Sequence, residues 1–319
     1  MEIYGMLGEK LGTIGKSTQD DKQQEVESLP QWKKDFLQKP SISVRNGIAW
    51  GYDPPYEDTD TLVLTSTQSG FVDIRFPRKR ELGKPIASDP SFWAFCGTST
   101  TTFLQGDGID MPYSSHCVWK HEIDSKGPGI DDEGDMFLLA NGDCMEVGMM
   151  QNTQTGKVQM YKEYWTSPGD SGKIHLVPCV VAKTTESPND HEAQESSLQN
   201  GSGGVIIRIG NFCQGIMRQQ AASHEGRPMV ADAVLVERWT RGLVSADGNP
   251  NTTTAGEQTS TATSLGWVQD WRSNTPSDTN ISMPCAWVFD DSRQIGDKVE
   301  VKGTTWTIVE ALLEMDQGV

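Results

Sequence analysis

From residue 41 onward the chain consists of short apolar runs, rich in β-branched and aromatic residues, that are separated by glycine-containing turns. In Thr61–Phe76 (TLVLTSTQSGFVDIRF), two such runs flank the turn residues Gln68-Ser69-Gly70. Apolar runs of roughly four to eight residues bounded by turn residues are typical of β-strands. This segment is therefore predicted to form a β-hairpin.

A similar segment lies in the second half of the chain. Val205–Arg218 (VIIRIGNFCQGIMR) is predicted to form a hairpin that turns at Gly210-Asn211. In each half, a later strand is expected to end on a Glu-x-Trp triplet, which is Glu163-Tyr164-Trp165 in the first half and Glu237-Arg238-Trp239 in the second. This rough repeat predicts two barrel-like β units, and small barrels bind ligands inside or at the mouth.

The same pattern predicts further strands. In the first half they are Ser41–Gly51, Thr61–Thr67, Phe71–Phe76, Phe92–Gly97, His116–Ile123, Gly134–Leu139, Asp143–Met150 and Lys157–Trp165. In the second half they are Leu265–Trp271, Cys285–Asp290 and a hairpin at Lys298–Leu313. Only Pro30–Leu37 has a helical pattern, because Trp32 and Phe36 fall on one face.

Changes in composition divide the chain into an arm and two β units. Residues 1–40 are polar, and we expect them to form an N-terminal arm. The turn-rich stretch Thr166–Lys173 (TSPGDSGK) marks a boundary, which gives one β unit at residues 41–168 and a second at residues 169–319. The second unit is expected to carry two long polar loops, at residues 184–204 and 246–264.

The charge of the chain argues against several classes of partner. The 319 residues carry a formal net charge of −17, which opposes binding to phosphate backbones or anionic lipid surfaces. No apolar stretch approaches the roughly 20 residues that span a bilayer, and the N-terminus lacks the apolar centre of a signal peptide. We expect a cytoplasmic protein that binds neither nucleic acid nor membranes.

No metal or cofactor site is indicated by the sequence. The six cysteines and five histidines are dispersed, and the acidic run Asp131–Asp135 lacks the spacing of a calcium loop. His116 and Gly169-Asp170-Ser171-Gly172 look like serine-protease motifs, but only about 50 residues separate them, too few for two successive barrels. We therefore assign Ser171 to a turn.

A set of motifs spread along the chain resembles one known family. The motifs are Phe92–Thr98 (FWAFCGT), Trp119 with Asp124-Ser125, Asp132–Met136 (DEGDM), Glu146 with Thr155-Gly156 and Glu163-x-Trp165, Gly204–Arg218 with Cys213-Gln214-Gly215, and Thr305–Glu310 (TWTIVE). In order and spacing they resemble the fungal Hri-one family, which is named for a yeast protein that interacts with a casein kinase. The resemblance covers most of residues 62–310.

This resemblance implies an all-β fold of two lipocalin-like (calycin-type) antiparallel barrel units packed together, in a fungal cytosolic protein. The N-terminal arm and the two long loops make the chain longer than a plain member of the family. These additions indicate a specialised paralogue that handles an intermediate of a fungal biosynthetic pathway, an interpretation that rests on analogy.

Several polar residues interrupt apolar strands, and two interpretations are open. Asp73 and Arg75 share one strand face, Arg208 interrupts an apolar run, and Glu163 precedes a tryptophan. These groups either pair with one another to close the barrel ends or act as polar groups in an apolar pocket. On the strand Lys157–Trp165 the pattern leaves open which face points inward, because both faces carry large side chains.

If these groups lie in a pocket, a buried carboxylate would shuttle a proton while arginine polarises a carbonyl group of the ligand. Tryptophans would then line the pocket walls, unless they pack in the hydrophobic core instead. The catalytic candidates are Asp73, Glu163 and Arg208. The ligand-binding candidates are Arg75, Trp93, Tyr161, Trp165, Gln214, Arg218 and Trp239.

Our functional hypothesis is a protein that binds a hydrophobic small molecule in a lipocalin-like pocket. In its enzymatic form it is a cofactor-free cyclase or isomerase of the pericyclase type in fungal secondary metabolism, which accelerates the reaction by holding a flexible substrate in a near-reactive conformation. The alternative is a non-catalytic cytosolic module that binds a protein such as a kinase. An internal cavity would favour the first hypothesis, and a filled core the second.

Overall fold

The computed structural model describes residues 2–4, 10–13, 40–79, 86–105, 110–127, 130–152, 155–168, 177–184, 203–218, 234–245, 263–272 and 282–312. The chain divides into two compact units, residues 1–39 and 40–319. In the first unit, strands β1 (Glu2–Tyr4) and β2 (Lys10–Thr13) form an antiparallel pair. The expected helix at Pro30–Leu37 and the turn at Ser171 lie outside the described residues.

Eight antiparallel strands of the second unit close into a barrel. They are β3 (Ser41–Trp50), β4 (Thr59–Thr65), β5 (Gly70–Pro77), β6 (Trp93–Gln105), β7 (Asp110–Asp124), β8 (Asp131–Leu138), β9 (Cys144–Gln151) and β10 (Val158–Thr166). Each strand pairs with the next along the chain, and β10 pairs with β3. This last pairing leaves the barrel without an exposed edge.

Seven further antiparallel strands form a second sheet in the order β15-β14-β13-β12-β11-β17-β16. They are β11 (Cys179–Thr184), β12 (Gly204–Ile209), β13 (Phe212–Arg218), β14 (Val234–Ser245), β15 (Thr263–Arg272), β16 (Lys298–Val301) and β17 (Thr304–Leu312). The described helices are two short 3₁₀ segments, Ile86–Ser88 and Cys285–Phe289. None of the helices described is long and apolar enough to cross a membrane.

The all-β class and the first barrel are confirmed, but the expectation of a second closed barrel is wrong for the described residues. The second sheet is open, since β15 and β16 each have one neighbour. The reason lies in its two faces, which are both apolar. One face packs against the barrel, and the other is covered by residues 283–289, where Met283, Cys285 and Val288 are buried with Trp306. A packed core occupies the space that a second barrel would enclose.

The outer face of the barrel and one face of the open sheet share a hydrophobic core. Alternate residues of β4, β5 and β6 point outward from the barrel into this core, as the two-residue period of a strand requires. Members from the barrel are Leu62, Leu64, Val72, Ile74 and Ala94, and members from the sheet are Val181, Ile207, Ile209, Ile216 and Val236. The intervening residues of β5, Asp73 and Arg75, consequently point into the barrel.

Cys285–Asp290 was expected to be a strand and is a 3₁₀ helix instead. The Trp287 amide donates to the Pro284 carbonyl oxygen at 3.0 Å. Cys285 and Val288 are buried, and residues three apart lie on one side of a 3₁₀ helix. The segment therefore follows a three-residue period that a five-residue apolar run does not reveal.

Several strands differ from the sequence-based prediction. β6 and β7 are longer than the predicted Phe92–Gly97 and His116–Ile123. β11 was not expected, because its first four residues, Cys179–Ala182, are all buried and show no alternation of apolar and polar positions. β14 was expected to end at Trp239 but continues to Ser245, because its pairing with β15 extends through Leu243, which lies opposite Leu265. The hairpins at residues 59–77 and 204–218 are confirmed.

Candidate functional site

The barrel contains a cavity of about 780 Å³. Its walls are side chains of β3, β4, β5, β6, β8, β9 and β10, and residues from the four connections at one end of the barrel complete the lining. Both aromatic rings and charged groups line these walls. The aromatic lining residues are Trp50, Tyr56, Trp93 and Tyr161. A mixed lining of this kind suits a ligand with a flat apolar body and polar groups.

The burial of the side chains on β10 shows which face of this strand points into the barrel. Tyr161, Glu163 and Trp165 are 2–7% exposed, whereas Val158 is 67% exposed. Across the neighbouring strand pair, Glu163 lies opposite Glu146. The face that carries Tyr161, Glu163 and Trp165 therefore looks into the barrel, and two carboxyl groups meet side by side on its wall.

Arg45 and two carboxylates form a buried ionic network on this wall. Arg45 Nη1 donates to Glu163 Oε1 at 2.6 Å, and its Nε and Nη2 donate to the two oxygens of Glu57 at 2.8 and 3.1 Å. Nη2 also donates to Thr59 Oγ1 at 2.9 Å. Burial acts to raise the pKa of Glu57, but the hydrogen bonds and charge of Arg45 outweigh it and lower that pKa. The network fixes the guanidinium through hydrogen bonds from all three of its nitrogen atoms.

Arg75 lies next to this network and is held by Asp73. Its Nε and Nη2 donate to Asp73 Oδ2 at 3.0 and 2.7 Å, and its Nη1 is 3.9 Å from Glu163 Oε1. The guanidinium carbon lies 4.7 Å from the centroid of the Trp93 ring. The other carboxylate oxygen of Asp73 is buried and has no hydrogen-bond partner among the described residues. Asp73 thus orients Arg75 against the tryptophan that lines the cavity.

Glu146 differs from Glu57 and Glu163 in its hydrogen-bond partners, which are two aromatic side chains. Its Oε1 lies 2.7 Å from the Tyr161 hydroxyl, and Trp165 Nε1–H donates to its Oε2 at 2.9 Å. Burial, followed by the negative charges of Glu163 and Asp132, raises the pKa of Glu146 well above its ordinary value. Glu146 therefore holds a proton at a pH where an ordinary carboxylate is ionised.

Gly148 provides the space that Tyr161 occupies. A Cβ atom at position 148 would lie 2.5 Å from the Tyr161 hydroxyl oxygen and 2.6 Å from its ring carbons. Since Gly148 lies directly opposite Tyr161 in the β9–β10 register, the phenol can lie flat across the neighbouring strand. The hydroxyl thereby reaches Glu146.

His121 lies beneath the cavity between two aspartates. Its Nδ1 is 2.6 Å from Asp124 Oδ2, and its Nε2 is 3.6 Å from Asp132 Oδ2, which makes the second contact ionic rather than a hydrogen bond. Burial acts to lower the pKa of His121, but Asp124 and Asp132 raise it to about 9. The charged imidazole stacks on Phe95 with ring centroids 4.1 Å apart.

Lys126 is a cavity-lining amine in the turn that follows β7. Its Nζ lies 4.5 Å from the centroid of the Trp93 ring. Burial, and then the positive charge of Arg75, lowers the pKa of Lys126 to about 8. Trp93 Nε1–H donates to Asp124 Oδ1 at 2.9 Å, which fixes the ring that both cations face.

Comparison with known proteins places this barrel and sheet in a family. The family model described as Protein HRI1 matches residues 41–310, from the first strand of the barrel to the last long strand of the sheet. The chain belongs to the HRI1 family. The match confirms the resemblance that the sequence motifs indicate.

One solved structure supports the fold of this HRI1-family chain. It is the crystal structure of an uncharacterized protein from Saccharomyces cerevisiae, which matches with a TM-score of 0.56 and 16% identity over 86% of this chain and 99% of that chain. At this identity the likeness concerns the fold alone. A search of curated proteins found no match.

The structure brings together six of the ten candidate residues. Arg75, Trp93, Tyr161 and Glu163 line the cavity. Asp73 and Trp165 lie one layer behind, bonded to Arg75 and Glu146 respectively. These six form one continuous wall.

The other four candidates lie on the open sheet and do not line this cavity. Arg208 donates to the carbonyl oxygens of Val288 and Phe289 at 3.3 and 3.0 Å and pairs with Asp291 at 2.6 Å. It therefore fastens the 3₁₀ segment to the sheet. Trp239 packs against the same segment, with its ring centroid 5.6 Å from that of Phe289.

Gln214 and Arg218 connect the open sheet to the barrel. Gln214 Nε2 donates to the carbonyl oxygens of Leu62 and Val72 at 2.9 and 3.0 Å, and Arg218 Nη2 donates to that of Glu122 at 3.1 Å. Buried backbone carbonyl groups commonly accept hydrogen bonds from side-chain amide and guanidinium groups. These two residues hold the two sheets in register.

Sequence reasoning missed four residues of the site: Arg45, His121, Lys126 and Glu146. Arg45 and Glu146 interrupt apolar strands in the same way as Arg208, so the signal that selected Arg208 was present for them. His121 was set aside because the five histidines are dispersed along the sequence. Lys126 lies in a turn, and no sequence pattern marks it as a site residue. Only the folded structure brings its amine over the Trp93 ring.

Proposed function

We propose that the barrel of this HRI1-family protein binds a small amphipathic organic molecule in its cavity. The observation that carries the proposal is an internal space of about 780 Å³ lined by four aromatic side chains and by buried, fixed charges. Ligand sites typically have volumes of roughly 300–1,000 Å³ and combine apolar walls with a few positioned polar groups. An eight-stranded antiparallel barrel with such a cavity also supports the lipocalin-like interpretation.

The fixed charges favour a ligand with at least one polar group rather than a pure hydrocarbon. The guanidiniums of Arg45 and Arg75 are held by carboxylates before any ligand arrives, so binding does not have to order them. Trp50 and Trp93 offer flat apolar surfaces between these groups. A conjugated molecule with a carbonyl or hydroxyl group matches both features.

In its catalytic form, this function is a cofactor-free isomerisation or cyclisation. Proton transfer to a bound substrate needs a group that holds a proton near neutral pH. The raised pKa of Glu146 gives it this property, and Glu163, which is bonded to Arg45, lies opposite it on the next strand. Tyr161 is hydrogen-bonded to Glu146 on the same wall. This arrangement supports a proton-transfer role.

The alternative of a non-catalytic protein-interaction module predicts a filled barrel. The cavity favours small-molecule binding over that alternative. We further propose that the protein acts in the cytoplasm, without nucleic acid or membrane partners, and its net charge of −17 supports this view.

The proposal can be tested by titrating the full-length chain with 1-anilinonaphthalene-8-sulfonate and following fluorescence. We expect saturable one-site binding that Trp93→Leu weakens at least about tenfold, or about 1.4 kcal/mol. Trp239→Leu is the matched control, because Trp239 lies on the open sheet, and it should leave binding unchanged. Absence of saturable binding, or equal effects of the two variants, would contradict the proposal.

A further inference from the structure

Lys126 is half-buried and, unlike the buried Arg45 and Arg75, has no carboxylate partner among the described residues. Arg45 is bonded to Glu57 and Glu163, and Arg75 is bonded to Asp73. Among the described residues, no carboxylate oxygen lies within the 4.0 Å of an ion pair from Lys126 Nζ. Its amine instead lies over the face of Trp93 at 4.5 Å and borders the cavity.

The position of Lys126 is set by its own turn. Its backbone amide donates to Asp124 Oδ1 at 2.7 Å, and the same oxygen accepts the Trp93 indole hydrogen at 2.9 Å. One carboxylate oxygen therefore fixes both the backbone of the lysine and the ring beneath its side chain. This arrangement holds the amine at the cavity wall before a ligand binds.

Burial, and then the charged groups around the amine, favour its neutral form. Arg75 faces the same Trp93 ring at 4.7 Å, and Arg45 adds a second positive charge, while Asp124 and Asp58 oppose them only in part. With a pKa of about 8, roughly a quarter of the amines are unprotonated at pH 7.5, against about 0.1% for an ordinary lysine. Desolvation next to another cation is a known way of making a lysine nucleophilic.

We propose that Lys126 forms an imine with the carbonyl group of an aldehyde or ketone bound in the barrel cavity. The inference rests on the proposed function, because it names the substrate class of the same cavity. The Nζ lone pair attacks the carbonyl carbon, and one proton passes from the nitrogen to the oxygen to give a neutral carbinolamine. The hydroxyl group then takes up a second proton, from Glu146, and leaves as water while the nitrogen lone pair forms the C=N bond, which gives a protonated imine without any oxidant or reductant.

The cavity contains the other groups that this reaction requires. Glu146, which holds its proton, lies on the same cavity lining and is the proton donor for the departing oxygen, and its side chain is hydrogen-bonded to Tyr161. A protonated imine keeps the positive charge that now faces Trp93, so the cation–π contact survives the reaction. A conjugated carbonyl compound would place its flat body against the aromatic walls.

Reductive trapping tests the inference directly. Full-length protein is incubated with trans-cinnamaldehyde at pH 7.5, reduced with sodium borohydride and digested, and the adducts are located by mass spectrometry. We expect Lys126 to be modified at least about tenfold faster than Lys79, which also lines the cavity but is exposed. This comparison is internal to the wild-type protein and does not depend on the folding of any variant.

Two variants provide the controls. Lys126→Arg keeps the positive charge over Trp93 and should abolish the fast adduct, whereas Lys157→Arg, at an exposed lysine outside the cavity lining, should retain it. Equal modification of Lys126 and Lys79 would overturn the inference, and so would an unchanged total yield in Lys126→Arg.

Binding of 1-anilinonaphthalene-8-sulfonate by the same samples separates this inference from the proposed function. Saturable dye binding without a fast Lys126 adduct would refute the imine alone. Absence of both would refute the cavity as a binding site and the imine with it.

Discussion

Arg45 and Glu163 meet at 2.6 Å across the strand pair that closes the barrel. Arg45 lies on the first strand of the barrel and Glu163 on the last, and both side chains are about 95% buried. The pair therefore has two roles, because it joins the ends of the barrel and forms part of the cavity wall. Glu163 had been singled out from sequence as a catalytic candidate, and this bond shows what holds it in place.

Arg45→Met should lower the free energy of unfolding by about 3–5 kcal/mol, because Glu57 and Glu163 would remain buried without their partner. Urea denaturation followed by tryptophan fluorescence measures this loss. Asn46→Ala is the control. Asn46 bonds Thr166 across the same strand pair on the exposed side, and its loss should cost no more than about 1 kcal/mol. Similar costs for the two variants would show that the ion pair is not structural.

Glu146→Gln should change the pH dependence of stability. The folded-state pKa of Glu146 is raised above its unfolded value of about 4.3, so above pH 4.3 the folded state binds more protons and stability falls as pH rises. Glutamine can accept from Trp165 and donate to Tyr161 without this cost. The melting temperature of the variant, relative to wild type, should therefore rise between pH 4.5 and pH 7.

The control for this experiment is Glu300→Gln, since Glu300 is exposed on the short strand β16. Its melting temperature should follow that of wild type at every pH. An unchanging difference between Glu146→Gln and wild type across the same range would contradict the protonated state assigned to Glu146.

Gly148→Ala should destabilise the barrel by about 1–3 kcal/mol, because the added methyl group would lie 2.5 Å from the Tyr161 hydroxyl oxygen. The displaced phenol should also weaken dye binding. Gly242→Ala on β14 is the matched control, since a Cβ there meets no atom within 4 Å. Thermal melts and dye titrations of the two variants make the comparison, and equal stability would show that Tyr161 does not depend on this space.

Arg208→Gln and Asp73→Asn should separate structural from ligand-binding roles. Arg208 fastens the segment that covers the open sheet, so its loss should lower the melting temperature while the folded protein keeps its affinity for the dye. Asp73 orients Arg75 on the cavity wall, so its loss should lower affinity as well. Reduced affinity in folded Arg208→Gln would mean that the site extends to the open sheet.

The hairpin at residues 59–77 could be predicted from sequence because its information is local. Its turn residues and two-residue alternation place Asp73 and Arg75 on one face, opposite Val72 and Ile74, and the structure agrees. The inward direction of that face follows only once the second sheet covers the other side. A local pattern therefore fixes which residues share a face, and tertiary packing fixes where that face points.

Other features depend on contacts distant in sequence and could not be predicted. The 3₁₀ helix at residues 285–289 is held by Arg208, about 80 residues earlier in the chain. Arg45 lies opposite Trp165 because the strand pairing shifts register between Tyr164 and Trp165. The sequence of neither strand reveals this shift. The cavity wall is the product of such pairings. Arg45 and Glu146 carried the same sequence signal as Arg208, but only these pairings show that they lie on the cavity wall, and Lys126 carried no such signal.

The central claim is that the ligand site lies inside the barrel, and the indole N–H signals of the tryptophans test it most directly. Wild-type protein labelled with ¹⁵N is titrated with 1-anilinonaphthalene-8-sulfonate, and indole signals are assigned by single Trp→Phe substitutions. We predict shifts for Trp50 and Trp93, which line the cavity, and none for Trp306, which is buried in the open sheet. Shifts confined to Trp306 or its neighbours, or no shifts at all, would contradict the claim.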